Sequence, residues 1–232
     1  MTWIQNLIQF STSQITSRER EALWARGVTD DQIKLFQIGY LNKEFPIGIP
    51  EYFLQWAQKF KLEDVFVFPL TTTLGEVRGF QFRHVVRERL GYMDFFEDRR
   101  EPCLFGLHQA IESMWTSRSV YLVEGVFDLC PIQRAVPFVV ATMTAFTTQQ
   151  TARLIRRLVQ RVWLGYDMDA SGKDGCTDFQ IRYGKKFETV YRMAYPKVNG
   201  KQMKDPGDLW ENWGDSQLIP FIRSAISQET LF

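Results

Sequence analysis

From residue 118 onward, short apolar runs alternate with helical segments, and this constrains the fold more than anything else in the chain. The runs cover residues 120–123, 138–141, 162–165 and 189–193, with helical patterns near 127–134, 148–159 and 174–183 between them. Runs that are apolar throughout, without polar alternation, suit strands covered on both faces. Strands in turn with helices imply a largely parallel sheet with helices packed against it. The expected fold class is therefore α/β, a Rossmann-like, mostly parallel sheet over residues 118–213. Two amphipathic helices, residues 206–213 and 217–226, finish the chain, the second within a C-terminal helical segment spanning 214–232.

Residues 1–117 have a different character and read as a smaller mixed α+β part. Thr16 with Glu19, and Thr29 with Gln32, have the spacing of capping boxes. They open two short helices between residues 16 and 40, the first ended by Gly27. Pro50 starts an aromatic helix over 51–60. Strands are expected over 65–70 and 77–84, joined by a Thr-rich turn that ends at Gly75. Residues 86–103 are charged and unpatterned and read as a loop. A helix over 107–115 leads into the α/β part.

Nineteen Phe, eight Tyr and seven Trp in 232 residues promise a filled core, which excludes a disordered chain. No apolar run reaches the roughly 18 residues needed to span a bilayer, and the first ten residues lack the pattern of a signal peptide. A cytoplasmic protein with no membrane partner is expected. Cys103, Cys130 and Cys176 stand far apart without CxxC or CxxH pairs, so neither a zinc site nor a disulfide framework is expected.

Three acidic motifs follow strands or precede helices. They are Val123-Glu124-Gly125-Val126-Phe127-Asp128, Tyr166-Asp167-Met168-Asp169-Ala170-Ser171-Gly172 and Lys204-Asp205-Pro206-Gly207-Asp208. In open parallel sheets the functional crevice lies at the carboxyl ends of the strands, where Glu124, Asp167 and Asp169 fall. Residues i and i+2 of extended chain point the same way, so Asp167 and Asp169 can converge on one ion. Asp128 stands one helical turn beyond Glu124, while Gly125 and Gly172 allow tight turns beside the acids. Clustered carboxylates require cations, and oxygen donors without His or Cys favour Mg²⁺ or Mn²⁺. Two such ions roughly 3.5–4 Å apart can clamp the attacking and leaving oxygens of a phosphoryl transfer. A basic stretch flanks the acids: residues 182–204 hold seven Lys/Arg against Glu188 alone.

Together the three motifs resemble the TOPRIM domain shared by bacterial primases, topoisomerases and some nucleases, over residues 119–213. Ala141-Thr142-Met143-Thr144-Ala145 resembles the loop after the domain's second strand, with Met143 in place of the usual glycine. Arg26-Gly27-Val28 with Ile33, Phe36 and Ile38-Gly39-Tyr40 resembles the start of a DnaG-like primase core. So do Phe68-Pro69-Leu70, then Gly75-Glu76-Val77-Arg78-Gly79-Phe80 with Arg83, and Leu104-Phe105-Gly106-Leu107 with Ala110. The resemblance implies a TOPRIM domain behind an α+β subdomain, and a DNA-directed RNA primase working on single-stranded DNA with ribonucleoside triphosphates. It makes Glu124 the central catalytic acid, with Asp128, Asp167 and Asp169 beside it. Glu124, Asp167, Asp169, Asp205 and Asp208 would hold two or more Mg²⁺ or Mn²⁺ ions. A zinc module before this core and a helicase-binding domain after it are expected to be missing. That implies a helicase or a separate zinc-binding, template-recognising partner, or a compact phage or mobile-element version. The lysine-bearing segment is matched only by Arg89-Leu90-Gly91-Tyr92.

Lys173, Lys185, Lys186 and Lys204 are candidates to hold a triphosphate, and Arg78, Arg83, Arg87 and Arg89 to guide template phosphates. Arg83 stands out because it shares strand parity with Val77 and Gly79. Arg153, Arg156, Arg157 and Arg161 read as an exposed helix face, and His84 and His108 as structural. Two other readings stay open: a TOPRIM nuclease using water as nucleophile, and a replication-accessory subunit that keeps the fold without catalysis. A topoisomerase is not expected, because the chain is too short to add a strand-passage domain.

Overall fold

A computed structural model of the chain describes residues 2–84, 92–97 and 102–228. Arg87 and Arg89, with most of the segment 89–92, lie outside the described residues.

Three short helices open the chain: α1 (Trp3–Ser13), α2 (Ser17–Trp24) and α3 (Asp30–Leu35). Each begins on a threonine whose capping box closes three residues later, on Gln5, Glu19 and Gln32. The second and third boxes are those expected. Helix α1 was not expected, although Thr2 and Gln5 carry the same signal and Ile4, Leu7 and Ser11 form its buried stripe.

β1 (Gly39–Leu41), α4 (Glu51–Lys59), β2 (Val65–Thr71), β3 (Val77–His84) and β4 (Tyr92–Phe96) follow. The strands form an antiparallel sheet in the order β1-β2-β3-β4. β4 corrects the loop expected over 86–103. Met93 and Phe95 are buried and alternate with more exposed neighbours, a five-residue strand pattern hidden by the charges around it. One face of the sheet, with Val65, Val67, Phe80, Phe82, Met93 and Phe95, packs on Ile4, Leu7, Phe53 and Ala57 of α1 and α4. The other face carries Phe66, Phe68 and Leu70 into a second core shared with the rest of the chain.

Residues 104–105 stitch this sheet to the next. Leu104 exchanges hydrogen bonds with Thr71, and Phe105 accepts one from the Ala141 N–H, so one extended step borders both sheets. The chain then runs through α5 (Leu107–Ser117), β5 (Ser119–Val123), α6 (Val126–Ala135), β6 (Val139–Ala141), α7 (Gln149–Leu158), β7 (Arg161–Leu164), α8 (Ala170–Tyr183) and β8 (Thr189–Arg192). These strands make the expected parallel sheet, ordered β6-β5-β7-β8. Side-chain alternation divides its two faces. Val120, Leu122, Val162 and Leu164 pack under α5, α7 and α8, whereas Tyr121, Val123, Val139 and Trp163 face α6 and the C-terminal helix.

A short hairpin, β9 (Lys197–Val198) and β10 (Lys201–Gln202), precedes α9 (Pro206–Gln228). The two helices expected at the end are both present along α9, separated at Gly214, whose φ of 61° departs from helical geometry. Among the described residues no helix is long and apolar enough to cross a membrane.

The end of β7 is held against the core by a close contact. A Cβ at Gly165 would sit 2.2 Å from the Tyr121 ring, and the Tyr195 hydroxyl donates to the Gly165 carbonyl at 2.9 Å. Gly165→Ala is therefore expected to cost at least about 1–3 kcal/mol through overpacking. An unchanged urea midpoint in that variant would show that Tyr121 does not fix this segment.

Candidate active site

β5 lies between β6 and β7, so the chain leaves it in one direction through α6 and returns on its other side at β7. Such a reversal of strand order opens a crevice at the carboxyl ends of the two strands. Glu124 follows β5 and Asp167 follows β7, and the two meet there. The Asp167 N–H donates to Glu124 Oε1 at 3.0 Å. Gly172 makes the approach possible, since a Cβ there would lie 2.2 Å from the Asp167 carbonyl and 2.6 Å from Glu124 Oε1. Its value is close approach of backbone rather than a special dihedral angle. Gly125 has an extended φ of −120° and so needs no glycine for its turn; its missing side chain leaves room for Asp128, 3.0 Å from where a Cβ would be.

Asp128 lies in the first turn of α6 and accepts from two backbone groups, Gly125 N–H and Gly207 N–H, each at 3.2 Å. The second bond ties α6 to the loop before α9, bringing Asp205 and Asp208 into the cluster. Asp205 accepts from the Asp208 N–H at 2.7 Å, and Asp208 accepts from the Lys204 N–H at 3.3 Å. Asp169 caps α8 through the Gly172 N–H at 3.0 Å, which starts that helix at residue 170 rather than 174. All six acids singled out in the sequence thus border one crevice. Asp167 and Asp169 do converge on one cation, the ammonium of Lys204, at 2.7 and 3.5 Å.

Crowding raises the cost of ionising these groups. Burial, then the charge of Asp167, pushes Glu124 up to about 7. Asp128 stands well above the usual carboxylate range through burial and the facing Asp205 and Asp167. Burial raises Asp167 and Asp205 as well. Asp169 is held low by its bond from Gly172. Lys204 is raised, first through its bond to Asp167.

A basic ledge stands over the α6 side of the crevice. Arg83 and Arg26 each place the guanidinium carbon within 5 Å of the Phe127 ring centroid, at 4.8 and 4.9 Å. Arg83 also lies over the Tyr92 ring, 4.7 Å away, and donates to its hydroxyl. Strand pairing explains the placement: Arg83 opposes Phe66 and Tyr92, so it is on the sheet face turned toward α6. Arg26 was not among the expected site residues. Its signal was its place in Arg26-Gly27-Val28, where Gly27, with φ +77°, seats the chain against Trp210.

The structure does not bring every candidate together. Arg78 is five residues from Arg83 along β3, on the other sheet face, and pairs with Glu76 at 2.6 Å and Glu97 at 3.8 Å. Lys173 lies exposed in the first turn of α8, beside the acids. Lys185 and Lys186 follow the far end of α8, ~20 Å along the helix from Asp169 at 1.5 Å per residue.

An all-carboxylate donor set, in which burial raises Glu124, Asp128, Asp167 and Asp205, suits a hard divalent cation such as Mg²⁺ or Mn²⁺, which would relieve their mutual repulsion. Among the described residues no three of these side chains already converge on a single metal position.

The elevated Glu124 has a testable consequence for metal-free protein. A carboxyl whose folded pKa exceeds its unfolded value contributes stability at low pH, and loses it as pH rises from about 4.5 through about 7. Glu124→Gln keeps the acceptor for the Asp167 N–H but cannot ionise. Urea unfolding in chelator is expected to show the variant gaining about 1 kcal/mol on wild type at pH 8 relative to pH 5, discounted for partial solvation. Equal gaps at both pH values would show that Glu124 titrates normally.

Comparison with known proteins agrees with this geometry. Residues 121–209 match the Toprim-like family. The DNA primase of Treponema pallidum is 28% identical over 178 residues, 68% of this chain and 29% of that protein. The crystal structure of the Aquifex aeolicus primase, comprising zinc-binding and RNA polymerase domains, superposes with a TM-score of 0.74 at 21% identity. It covers 96% of this chain and 60% of that one. The structure of a DnaG primase catalytic domain bound to single-stranded DNA gives a TM-score of 0.73 at 19% identity, covering 97% of this chain and 77% of its own. The chain spans less than half the length of the curated primases it matches. Residues 121–209 are thus similar to the Toprim-like family, and the chain has the fold of a bacterial DnaG-type primase catalytic core.

Proposed function

We propose that this chain is the catalytic core of a DNA-directed RNA primase, which joins ribonucleoside triphosphates along a single-stranded DNA template. The observation that carries this reading is the meeting of Glu124 and Asp167 at the crevice, with Asp128, Asp169, Asp205 and Asp208 around them and the Arg26–Arg83 ledge beside them. The likeness to a primase catalytic domain bound to single-stranded DNA supports it.

In this reading a primer 3′-hydroxyl oxygen attacks the α-phosphorus of the incoming nucleotide, and the bond to pyrophosphate breaks. Mg²⁺ or Mn²⁺ held by Glu124, Asp167, Asp169, Asp205 and Asp208 would stabilise the charge developing on the phosphate oxygens. Glu124, at the centre of the cluster, is placed to accept the hydroxyl proton when ionised. Asp128, bonded to Gly125 and Gly207, positions the other acids by tying α6 to the α9 loop. Lys173, exposed in the first turn of α8, would meet the triphosphate. Arg83 and Arg26, both stacked on Phe127, Arg26 also 3.8 Å from the Glu211 carboxylate, would hold template phosphates without sequence preference. Template choice and delivery would fall to a zinc-binding module or a helicase; in the Aquifex aeolicus structure a zinc-binding domain accompanies the polymerase domain.

Incubation of the chain with labelled ribonucleotides, single-stranded DNA and Mg²⁺ or Mn²⁺ should yield short RNA, and Glu124→Gln should reduce it by at least a hundredfold. Metal-dependent shortening of the DNA without RNA products would identify a nuclease instead. Binding of single-stranded DNA is expected to weaken in Arg83→Gln and in Arg26→Gln. The slope of log affinity against log salt should fall by about 0.7 for each lost phosphate contact. Unchanged slopes would remove the ledge from the template path.

A further inference from the structure

Lys204 is the one basic side chain that the described residues place inside the carboxylate crevice. Its Nζ lies 2.7 Å from Asp167, 3.5 Å from Asp169 and 4.0 Å from Asp205, on the oxygens a cation would need. The backbone around it is fixed at both ends. The Lys204 carbonyl accepts from the Met168 N–H at 2.7 Å, between the two aspartates, and its own N–H donates to Asp208 at 3.3 Å. The side chain is not fixed in the same way, since nearly half of it is open to solvent. A lysine stem has four rotatable bonds and an ammonium with no directional fork, so it can leave without moving the loop.

We propose that Lys204 is a tethered counter-ion that occupies the cation position of this site in the absence of divalent metal and is displaced when metal binds. This rests on the metal-dependent reading of the crevice and adds a role that the acids alone do not imply. An ammonium 2.7 Å from Asp167 and a divalent ion on the same oxygen repel each other at short range and cannot share the pocket. Metal must therefore compete with a charge held at high local concentration by the chain itself. The competition weakens metal binding by the free protein while sparing it an unneutralised cluster of acids. Once displaced, the ammonium is free at the mouth of the crevice, where the phosphates of a nucleotide carrying its own metal would receive it. Metal and nucleotide would then bind together more readily than metal alone.

The test is Mn²⁺ binding followed by electron paramagnetic resonance at low ionic strength without nucleotide, in wild type, Lys204→Met and Lys204→Arg. Lys204→Met is expected to bind Mn²⁺ at least tenfold more tightly than wild type, and Lys204→Arg no more tightly. Metal-free Lys204→Met should melt lower than wild type and gain more from added Mn²⁺. A second measurement needs no variant: acetylation of Lys204 in the wild type, followed by mass spectrometry, should rise several-fold when Mn²⁺ is added. Wild-type Mn²⁺ binding with no gain in Lys204→Met, or acetylation indifferent to Mn²⁺, overturns the counter-ion role and leaves the metal site standing. No saturable Mn²⁺ binding in either protein overturns both.

Discussion

Six carboxylates packed around one crevice repel one another, and much of the surrounding structure answers that repulsion. The negative charge is met by four devices. Backbone N–H groups of Gly125, Asp167, Gly172, Gly207 and Asp208 donate into the cluster. The ammonium of Lys204 lies among three of the acids. Burial raises the proton affinity of Glu124 and Asp128. The N-terminal turns of α6 and α8 point their partial positive charge toward the acids. None of these offers the full compensation of a divalent ion, which is the physical ground for reading the crevice as a metal site.

The same crevice explains how the two sheets depend on each other. Phe127 belongs to the buried core beneath α6, yet its ring is also the surface on which Arg26 and Arg83 rest. One arginine comes from the helical N-terminal segment and the other from the antiparallel sheet, while Phe127 is one residue from Asp128. Leu104 and Phe105 link the sheets through backbone hydrogen bonds, and Phe68 packs edge-on against both Phe105 and Phe127. The acids of the crevice and the two arginines are thus set in register by one continuous core.

Much of this was legible in the residues. Three of the parallel strands, β5, β6 and β7, announced themselves as largely apolar runs, and the capping boxes of α2 and α3 by the identity of two residues each. The three acidic motifs could be placed at strand ends and a helix start by chain order alone. β4 was less legible because its five-residue alternation sits among charges, and a strand that short is identified by its partner β3 more than by itself. Helix α1 carries its own capping box and buried stripe, a signal as local as those of α2 and α3.

Sequence by itself determined the fold class, the sheet type and which acids border the crevice, because strand burial, helix capping and motif order are local or nearly local properties. Tertiary structure alone decided which basic residues belong with them. Arg83 stands beside the crevice and Arg78 does not, because strand pairing sends them to opposite sheet faces. Lys185 is excluded because α8 carries it a helix length away, and Arg26 is included because α6 presents Phe127 to it. Lys204 takes its place for the same reason: its loop is fastened between Met168 and Asp208, an arrangement that exists only once β7 and α9 have been brought side by side.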